Sequence, residues 1–241
     1  MSLQLKNLQF GYQHALVNNS LTLEIHSSEL ICLFGNNGCG KTTFIKTLAR
    51  LIKPIQGEIL LNNEDITNWD EQKFSRHFSF LFTKRPFLMN HTIFDIIALG
   101  RLPYLKWNGE LSDEDKSIIH HYAKYLNLGN ILHKSAQQVS DGQLQKALIA
   151  KTLAQQTPVI ILDEPLSFLD YGTKQFLLET LKSLAQLENK TILISSHDIH
   201  LCLKYAHKVL LFHQQEWLFE DGSTITSSNL FKKFLLTENV F

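Results

Sequence analysis

The chain has 241 residues, of which 44% are hydrophobic and 19% are charged, an ordinary composition for a globular protein of one or two compact units. Lys plus Arg and Asp plus Glu number 23 each, so no long-range basic field attracts nucleic acid, and no nucleic-acid partner is expected. No apolar run approaches the roughly 18 residues that would cross a bilayer, so we expect any work at a membrane to depend on a partner.

Three strands are predicted near the N-terminus. Residues 2–10 and 21–25 alternate polar and apolar residues, which indicates strands with one buried face rather than the continuous apolar block of a signal peptide. Residues 30–34 are continuously apolar and indicate a buried strand. Tyr12 follows the first strand, either as a core aromatic residue or as a platform on which a nucleotide base stacks.

A glycine-rich loop comes directly after the buried strand and matches G-x-x-x-x-G-K-[ST] at every fixed position. Its glycines let backbone N–H groups wrap a phosphate chain, and the helix that follows adds the positive end of its dipole. Lys41 can reach the β- and γ-phosphates of a nucleotide, and the Thr42 hydroxyl can hold Mg²⁺. The predicted phosphate-binding residues are Gly35, Asn36, Asn37, Gly38, Cys39, Gly40, Lys41, Thr42 and Thr43. This loop alone leaves kinases, GTPases and ATPases open.

The rest of the chain alternates helices and strands, which favours an α/β fold with a parallel sheet. Pro54 should end the helix that follows the loop near residue 53, and Asn62 and Asn63 suit the turn of a hairpin. Helices should begin at the caps Thr92, Ser112 and Ser140, the first of them stopping at Gly100. The remaining elements are a hairpin over 57–66, strands at 78–82, 158–162, 191–195 and 208–212, a hairpin turn at 214–215, and helices at 174–187, 199–205 and 229–236.

Two acidic residues stand at the end of the predicted strand 158–162. Asp163 lies where a Mg²⁺-coordinating carboxylate sits in a phosphate-loop NTPase, and Glu164 could act as a general base on the attacking water. We expect the negative charge of Asp163 and of a γ-phosphate to raise the proton affinity of Glu164. His197, at the end of the next strand, could donate to the γ-phosphate or to that water.

A second helix start lies about twenty residues before Asp163. Ser140 caps it and Gly142 follows, so its hydroxyl and free N–H groups form an anion-binding terminus. A single chain does not obviously need a second terminus of this kind.

Together these motifs resemble those of the ATP-binding cassette (ABC) ATPases over nearly the whole chain. They occur in the family's order. They are the aromatic A-loop position at Tyr12, the phosphate loop at 35–43, the signature LSGGQ at 139–143, the Walker B motif and catalytic glutamate at 162–165, the D-loop at 166–170 and the switch histidine in 195–198.

The resemblance implies a single ABC ATPase domain over residues 1–241, α/β in class. Residues 1–86 and 151–241 would form a phosphate-loop NTPase (RecA-like) core with an antiparallel β subdomain, and residues 87–150 an inserted α-helical subdomain that carries the signature. It also implies a head-to-tail homodimer with two ATP molecules, each held between the phosphate loop of one copy and the signature of the other.

The resemblance also implies the role of each site residue, with ATP and Mg²⁺ as cofactors. The catalytic residues would be Glu164, His197 and Lys41, and the metal site Thr42, Asp163 and Thr83. Tyr12 would stack on the base of ATP. The ATP of the second copy would contact Ser140, Asp141, Gly142, Gln143 and Asp170.

Two short segments, 99–104 and 111–115, resemble the ATPases of importers for iron-siderophores, haem and cobalamin. This implies a peripheral position on the cytoplasmic face of the inner membrane, a permease contacted near residues 83–105, and a periplasmic or surface binding protein. An exporter ATPase remains open, and so does a regulatory module that clamps ATP with weak turnover. A soluble ABC protein acting on DNA or ribosomes is disfavoured, because the chain has neither a coiled-coil insertion nor a tandem cassette.

Three residues depart from the family pattern. Asp141 replaces the first signature glycine, Val139 replaces a leucine, and Thr83 stands where the family usually has the Q-loop glutamine. That glutamine contacts Mg²⁺ and links the site to the membrane partner. Threonine is too short to make the same reach, so we predict reduced coupling or an altered metal dependence.

Overall fold

A computed structural model describes residues 1–84, 88 and 90–237. Its strands are β1 (Ser2–Gln9), β2 (Leu21–His26), β3 (Leu30–Gly35), β4 (Gln56–Leu61), β5 (Glu64–Asp65), β6 (Phe78–Leu81), β7 (Val159–Leu162), β8 (Thr191–Ser195), β9 (Lys208–His213) and β10 (Glu216–Asp221). Its α-helices are α1 (Lys41–Leu48), α2 (Glu71–His77), α3 (Ile93–Ala98), α4 (Asp113–Tyr125), α5 (Asp141–Ala154), α6 (Tyr171–Leu187), α7 (Ile199–Leu203) and α8 (Asn229–Thr237). No helix among the described residues is long and apolar enough to cross a bilayer.

The larger sheet has the strand order β10-β9-β3-β8-β7-β6, parallel except for the edge strand β10. Alternate residues of β3 enter two different cores. Leu30, Cys32 and Phe34 pack with the helices, whereas Ile31 and Leu33 pack with the second sheet. Burial on both faces explains the continuous apolar run of this strand. The parallel arrangement also brings the carboxyl ends of β3, β7 and β8 to one edge of the sheet.

The smaller sheet is antiparallel, with the order β2-β1-β4-β5, and lies on one face of the larger one. Its inward side chains alternate along β2, where Leu21, Leu23 and Ile25 are buried and the residues between them are exposed. The predicted hairpin turn is confirmed, because Asn62 and Asn63 adopt φ values of 52° and 66°. Both values lie in the left-handed region that asparagine tolerates in such turns.

Three helices, α3, α4 and α5, pack together beside the parallel sheet. Each begins with a capping box, in which the serine or threonine hydroxyl and the side chain three residues later satisfy each other's backbone N–H groups. The pairs are Thr92 with Asp95, Ser112 with Asp115, and Ser140 with Gln143. All three predicted helix starts are therefore confirmed.

Several predicted helix ends were wrong. Helix α1 stops at Leu48 because Arg50 turns to φ 61°, where its guanidinium lies 4.7 Å from the Phe74 ring centroid and 3.1 Å from Glu71. Helix α6 begins at Tyr171, earlier than predicted, because the Asp170 carboxylate caps it by accepting the Thr173 N–H. Helix α7 ends at Leu203 rather than near 205.

Gly100 does not end a helix either, since the chain continues through Leu99–Tyr104 as a 3-10 helix. A Cβ atom at Gly100 would lie 2.2 Å from the carbonyl oxygen of Lys151 in α5. The glycine therefore allows close packing of two helical segments rather than a stop.

The proposed division into a core (1–86 and 151–241) and a helical subdomain (87–150) stays a prediction. Its first boundary, at residues 86 and 87, lies outside the described residues. Its second, between residues 150 and 151, falls inside the continuous helix α5.

Candidate active site

A cavity of about 470 Å³ opens at the carboxyl edge of the parallel sheet. It brings together residues predicted from five separate stretches of the sequence. Its lining consists of Tyr12, Leu16, Asn36, Asn37, Gly38, Gly40, Lys41, Thr42, Thr43, Thr83, Asp163, Glu164 and His197. Of the predicted phosphate-loop residues, Gly35 is buried beneath the loop, and Cys39 lines a neighbouring cavity with Asn36, Asn37 and Gly38.

The phosphate loop leads from β3 into α1, and no side chain caps that helix. The helix begins at Lys41 after Gly40, which adopts φ 106°, and the N–H groups of its first turn have no partner within the helix. The Lys41 ammonium donates to the carbonyl of Gly35 and, at 3.2 Å, to that of Asn36. The loop therefore offers a cation and a helix N-terminus on one side of the cavity, which suits a phosphate chain.

Three hydroxyl groups converge on the buried carboxylate of Asp163. Thr42 and Thr83 donate to Oδ2 at 3.2 and 2.7 Å, and Ser195 donates to Oδ1 at 2.6 Å. These residues come from α1, the end of β6 and the end of β8. Thr83 therefore reaches the predicted metal carboxylate directly, although it cannot extend as far as a glutamine.

Glu164 lies beside this cluster in a left-handed backbone conformation, φ 53°, which residues with a Cβ rarely adopt. Its N–H donates to the Ser195 hydroxyl at 2.9 Å, and its Oε1 lies 3.2 Å from Nε2 of His197. Burial raises the pKa of the Glu164 carboxyl, as do the charges of Asp163 and Asp198, while His197 and Lys41 oppose the rise. The predicted direction is thus correct, but burial is a larger cause than the neighbouring anions.

Tyr12 is 70% exposed and lines the cavity. The interpretation of Tyr12 as an aromatic residue of the core is therefore wrong. An exposed ring in the cavity that the phosphate loop lines is placed where a nucleotide base could stack on it.

The second predicted half of the site lies in a separate surface cavity of about 500 Å³. The Ser140 hydroxyl accepts the N–H of Gln143 at 3.2 Å, and the Gln143 side chain accepts the N–H of Ser140 at 3.0 Å. The residues around this cavity are Ser140, Asp141, Gly142, Gln143, Lys146, Phe168, Leu169, Asp170 and Thr173. None of them lines the cavity of the phosphate loop.

Sequence reasoning gave no role to Ser195, which joins the Asp163 carboxylate to the backbone of Glu164. A signal for it was available. Ser195 is the last residue of β8, which pairs with β7 directly before Asp163. Residues at neighbouring carboxyl ends of a parallel sheet are close in space.

A family model described as "ABC transporter" matches residues 18–167 of the chain. The chain belongs to the ABC transporter family. It is an ABC-type ATPase, because the members of this family with which it aligns bind and hydrolyse ATP to drive transport.

Curated relatives support the same assignment over most of the chain. An uncharacterised ABC transporter ATP-binding protein of Methanocaldococcus jannaschii is 39% identical over 87% of this chain and 72% of its own length. The petrobactin import ATP-binding protein FpuD of Bacillus anthracis is 32% identical over 89% and 79%. The achromobactin transport ATP-binding protein CbrD of Dickeya dadantii is 31% identical over 87% and 78%.

Solved structures match the fold. A structure described as a metal-chelate type ABC transporter in an inward-facing conformation aligns with a TM-score of 0.82 at 27% identity, covering 98% of this chain and 89% of that one. The ATP-binding subunit of another ABC transporter aligns at 0.83 with 21% identity. The predicted fold class, a phosphate-loop NTPase core of mixed α/β structure, is confirmed.

Replacing Glu164 with glutamine should stabilise the folded chain at neutral pH. Because the folded state raises the pKa of this carboxyl, the ionised form costs folding free energy at any pH above that raised pKa. We expect the thermal midpoint of Glu164→Gln to exceed that of the wild type at about pH 8. The difference should be about 2–4 °C for each kcal/mol of this folding cost that the substitution removes. The gain should vanish as the pH falls through the folded pKa and below the unfolded one.

The exposed Glu179 of α6 provides a matched control, since Glu179→Gln should change the thermal midpoint little at any pH. A gain for Glu164→Gln that is the same at acidic and neutral pH would show that the titration of Glu164 is not its cause.

Proposed function

We propose that this chain is the ATP-hydrolysing subunit of an importer, and that its cargo belongs to the class of iron-siderophore, haem or cobalamin. Relatives with importer names support the cargo class, among them the petrobactin and achromobactin proteins named above. The segments 99–104 and 111–115, which resemble such importers, support the same class.

One observation carries the hydrolytic part of this proposal. The Glu164 carboxylate lies 3.2 Å from His197 in the cavity that the phosphate loop lines, and burial raises its pKa. A carboxylate with a raised pKa accepts a proton more readily from an attacking water. In the proposed mechanism Glu164 takes that proton, His197 donates to the γ-phosphate, and Lys41 turns from its backbone carbonyls to the β- and γ-phosphates.

The residues at Asp163 fit the magnesium ion that the family implies. Mg²⁺ prefers hard oxygen ligands and is usually held by one or two carboxylates together with substrate phosphates. Asp163 supplies one carboxylate, and Thr42 and Thr83 supply two hydroxyl oxygens, each within hydrogen-bond distance of that carboxylate. Mg²⁺ bound there would neutralise charge on the phosphates, while Ser195 keeps the carboxylate oriented through its other oxygen.

Two separate half-sites on one chain support a dimer. The cavity at Ser140 carries a helix N-terminus but neither Lys41 nor Glu164, whereas the other cavity is lined by both. In the proposed head-to-tail homodimer each ATP lies between the loop 35–43 of one copy and residues 140–143 and Asp170 of the other. Asp170 caps its own helix α6 in the single chain, so its contribution would come through the backbone or a rearranged side chain.

The proposed membrane partner is an integral permease that contacts the chain near residues 83–105, supplied with cargo by a periplasmic or surface binding protein. Leu102, within this segment, is 57% exposed, and the nearby Trp107 is fully exposed. An interface with the permease would cover these apolar side chains. The chain would then sit peripherally on the cytoplasmic face of the inner membrane.

The central test uses Glu164→Gln, which keeps the shape of the side chain and removes its basicity. ATP should trap this variant as a stable dimer, because closure occurs without hydrolysis to reopen it. Light scattering after gel filtration should give twice the monomer mass with ATP, and turnover should fall about 100-fold or more. Glu179→Gln should dimerise only transiently and hydrolyse normally. A Glu164→Gln monomer that hydrolyses ATP at the full rate would contradict the proposal.

A regulatory ATP clamp with weak turnover is a second candidate, favoured by one observation. The Thr83 hydroxyl donates to the same Asp163 oxygen as Thr42 and stands at the Q-loop position. In a clamp, this short side chain would leave hydrolysis uncoupled from a membrane partner. The steady-state ATPase rate with the permease distinguishes the two, since an importer subunit is stimulated and a clamp is not.

Replacing Thr83 tests its role directly. Thr83→Gln should lower the Mg²⁺ concentration needed for half-maximal ATPase activity by about threefold to tenfold, since each tenfold change corresponds to about 1.4 kcal/mol and a longer amide can reach the ion. Thr83→Val keeps the shape and removes the hydroxyl, so it should raise that concentration. If neither variant changes the Mg²⁺ dependence or the transport rate, Thr83 has no part in metal binding or coupling.

A further inference from the structure

Gln145, in the second turn of α5, is a buried polar residue that the proposed mechanism does not use. It is 5% exposed, and its amide nitrogen lies 3.2 Å from the carbonyl oxygen of Pro165 and 3.5 Å from that of Glu164. The amide thus links the helix that starts at Ser140 to the backbone of the proposed general base in the same chain.

The Glu164 peptide is held from both sides. Its N–H donates to Ser195, whose hydroxyl in turn donates to Asp163, and its carbonyl faces Gln145. A left-handed conformation at a residue with a Cβ persists only where the surroundings enforce it. On the carbonyl side the Ser167 N–H donates to the Glu164 carbonyl at 3.3 Å, and the Gln145 amide donates at 3.2 Å to the next carbonyl, that of Pro165. Gln145 therefore helps to hold the turn on which the direction of the Glu164 side chain depends.

A second contact joins the same helix to the same turn. A Cβ atom on Gly142 would lie 2.9 Å from the carbonyl oxygen of Phe168, which itself adopts φ 66°. The first two turns of α5 therefore rest against the turn 164–168 at two points. A shift of α5 moves the backbone of Glu164 with it, because close-packed contacts transmit displacement.

We propose that Gln145 is a positioning residue that transmits nucleotide binding at the N-terminus of α5 to the carboxylate of Glu164 in the same chain. This inference rests on the proposed function, in which that N-terminus binds the ATP of the second copy. The ATP in one site of the dimer then determines the orientation of the general base in the other site. Because the two copies are identical, each site acts on the other in the same way, and hydrolysis becomes cooperative in ATP.

The test replaces Gln145 with methionine, which has a similar length and no N–H donor, in the full-length chain with Mg-ATP. We expect kcat to fall about tenfold, because a small misplacement of a catalytic group is enough for such a loss. The KM for ATP should stay within about twofold, because the contacts of the phosphate loop are unchanged. The Hill coefficient for ATP should fall towards one, and the acidic limb of the pH profile of kcat should shift.

Gln155 is a matched control at the other end of α5. Its amide donates to the backbone carbonyls of Ser75 and Phe78 at 2.6 and 3.0 Å, and it lines neither half-site. Gln155→Met should lower the thermal midpoint about as much as Gln145→Met and leave kcat, the Hill coefficient and the pH profile unchanged. If Gln145→Met does not fold, Gln145→Asn, which keeps an amide but is too short to reach, should give the same selective loss of kcat.

Three results would overturn the inference. If the wild type is cooperative in ATP and Gln145→Met has the same kcat and Hill coefficient, the inference is wrong but the proposed function is not affected. Equal kinetic losses in the Gln145 and Gln155 variants mean that both residues act only through stability. A wild type that hydrolyses ATP as a monomer with a Hill coefficient of one contradicts the proposed dimer itself, and the inference fails with it.

Discussion

The convergence of three hydroxyl groups on the Asp163 carboxylate is the contact on which the rest of the site depends. Thr42, Thr83 and Ser195 come from elements far apart in the sequence, and each ends at one of the two oxygens of Asp163. A buried carboxylate is tolerated only when hydrogen bonds satisfy it. The cluster therefore fixes the phosphate-loop helix, the end of β6 and the ends of the two central strands relative to one another before any ligand binds.

Glu164 gains its chemical character from its place next to this cluster. Burial raises its pKa. Hydrogen bonds that join the turn at Glu164 and Pro165 to Ser195, Ser167 and Gln145 hold the Glu164 backbone in a left-handed conformation that residues with a Cβ rarely adopt. Holding this buried carboxylate beside His197 lowers the stability of the folded chain at pH values where the carboxylate is ionised. The same turn rests on α5, so the proposed half-site at Ser140 and the proposed general base belong to one packed unit.

Sequence patterns were sufficient for the strands of the parallel sheet and for the capped helix starts, because each depends on local chemistry. The continuous apolar runs identified the parallel strands, and Ser140 identified the start of α5. They failed where tertiary contacts decide. Arg50 ends α1 by turning onto Phe74, and Gly100 serves contact with Lys151 rather than a helix stop. The hydrogen bond from Thr83 to Asp163 likewise could not be predicted from the sequence, because it depends on where β6 ends beside β7.

The central claim is that the nucleotide site is composed of two copies of the chain, and cross-linking tests it most directly. Two chains lacking Cys39 would each carry one exposed cysteine, introduced as Asn37→Cys in one and Asp141→Cys in the other. Both chains would also carry Glu164→Gln. When the two are mixed, a short bismaleimide should join one chain of each kind, and only in the presence of ATP. Cross-links between like positions, or the same yield without ATP, would contradict the head-to-tail arrangement.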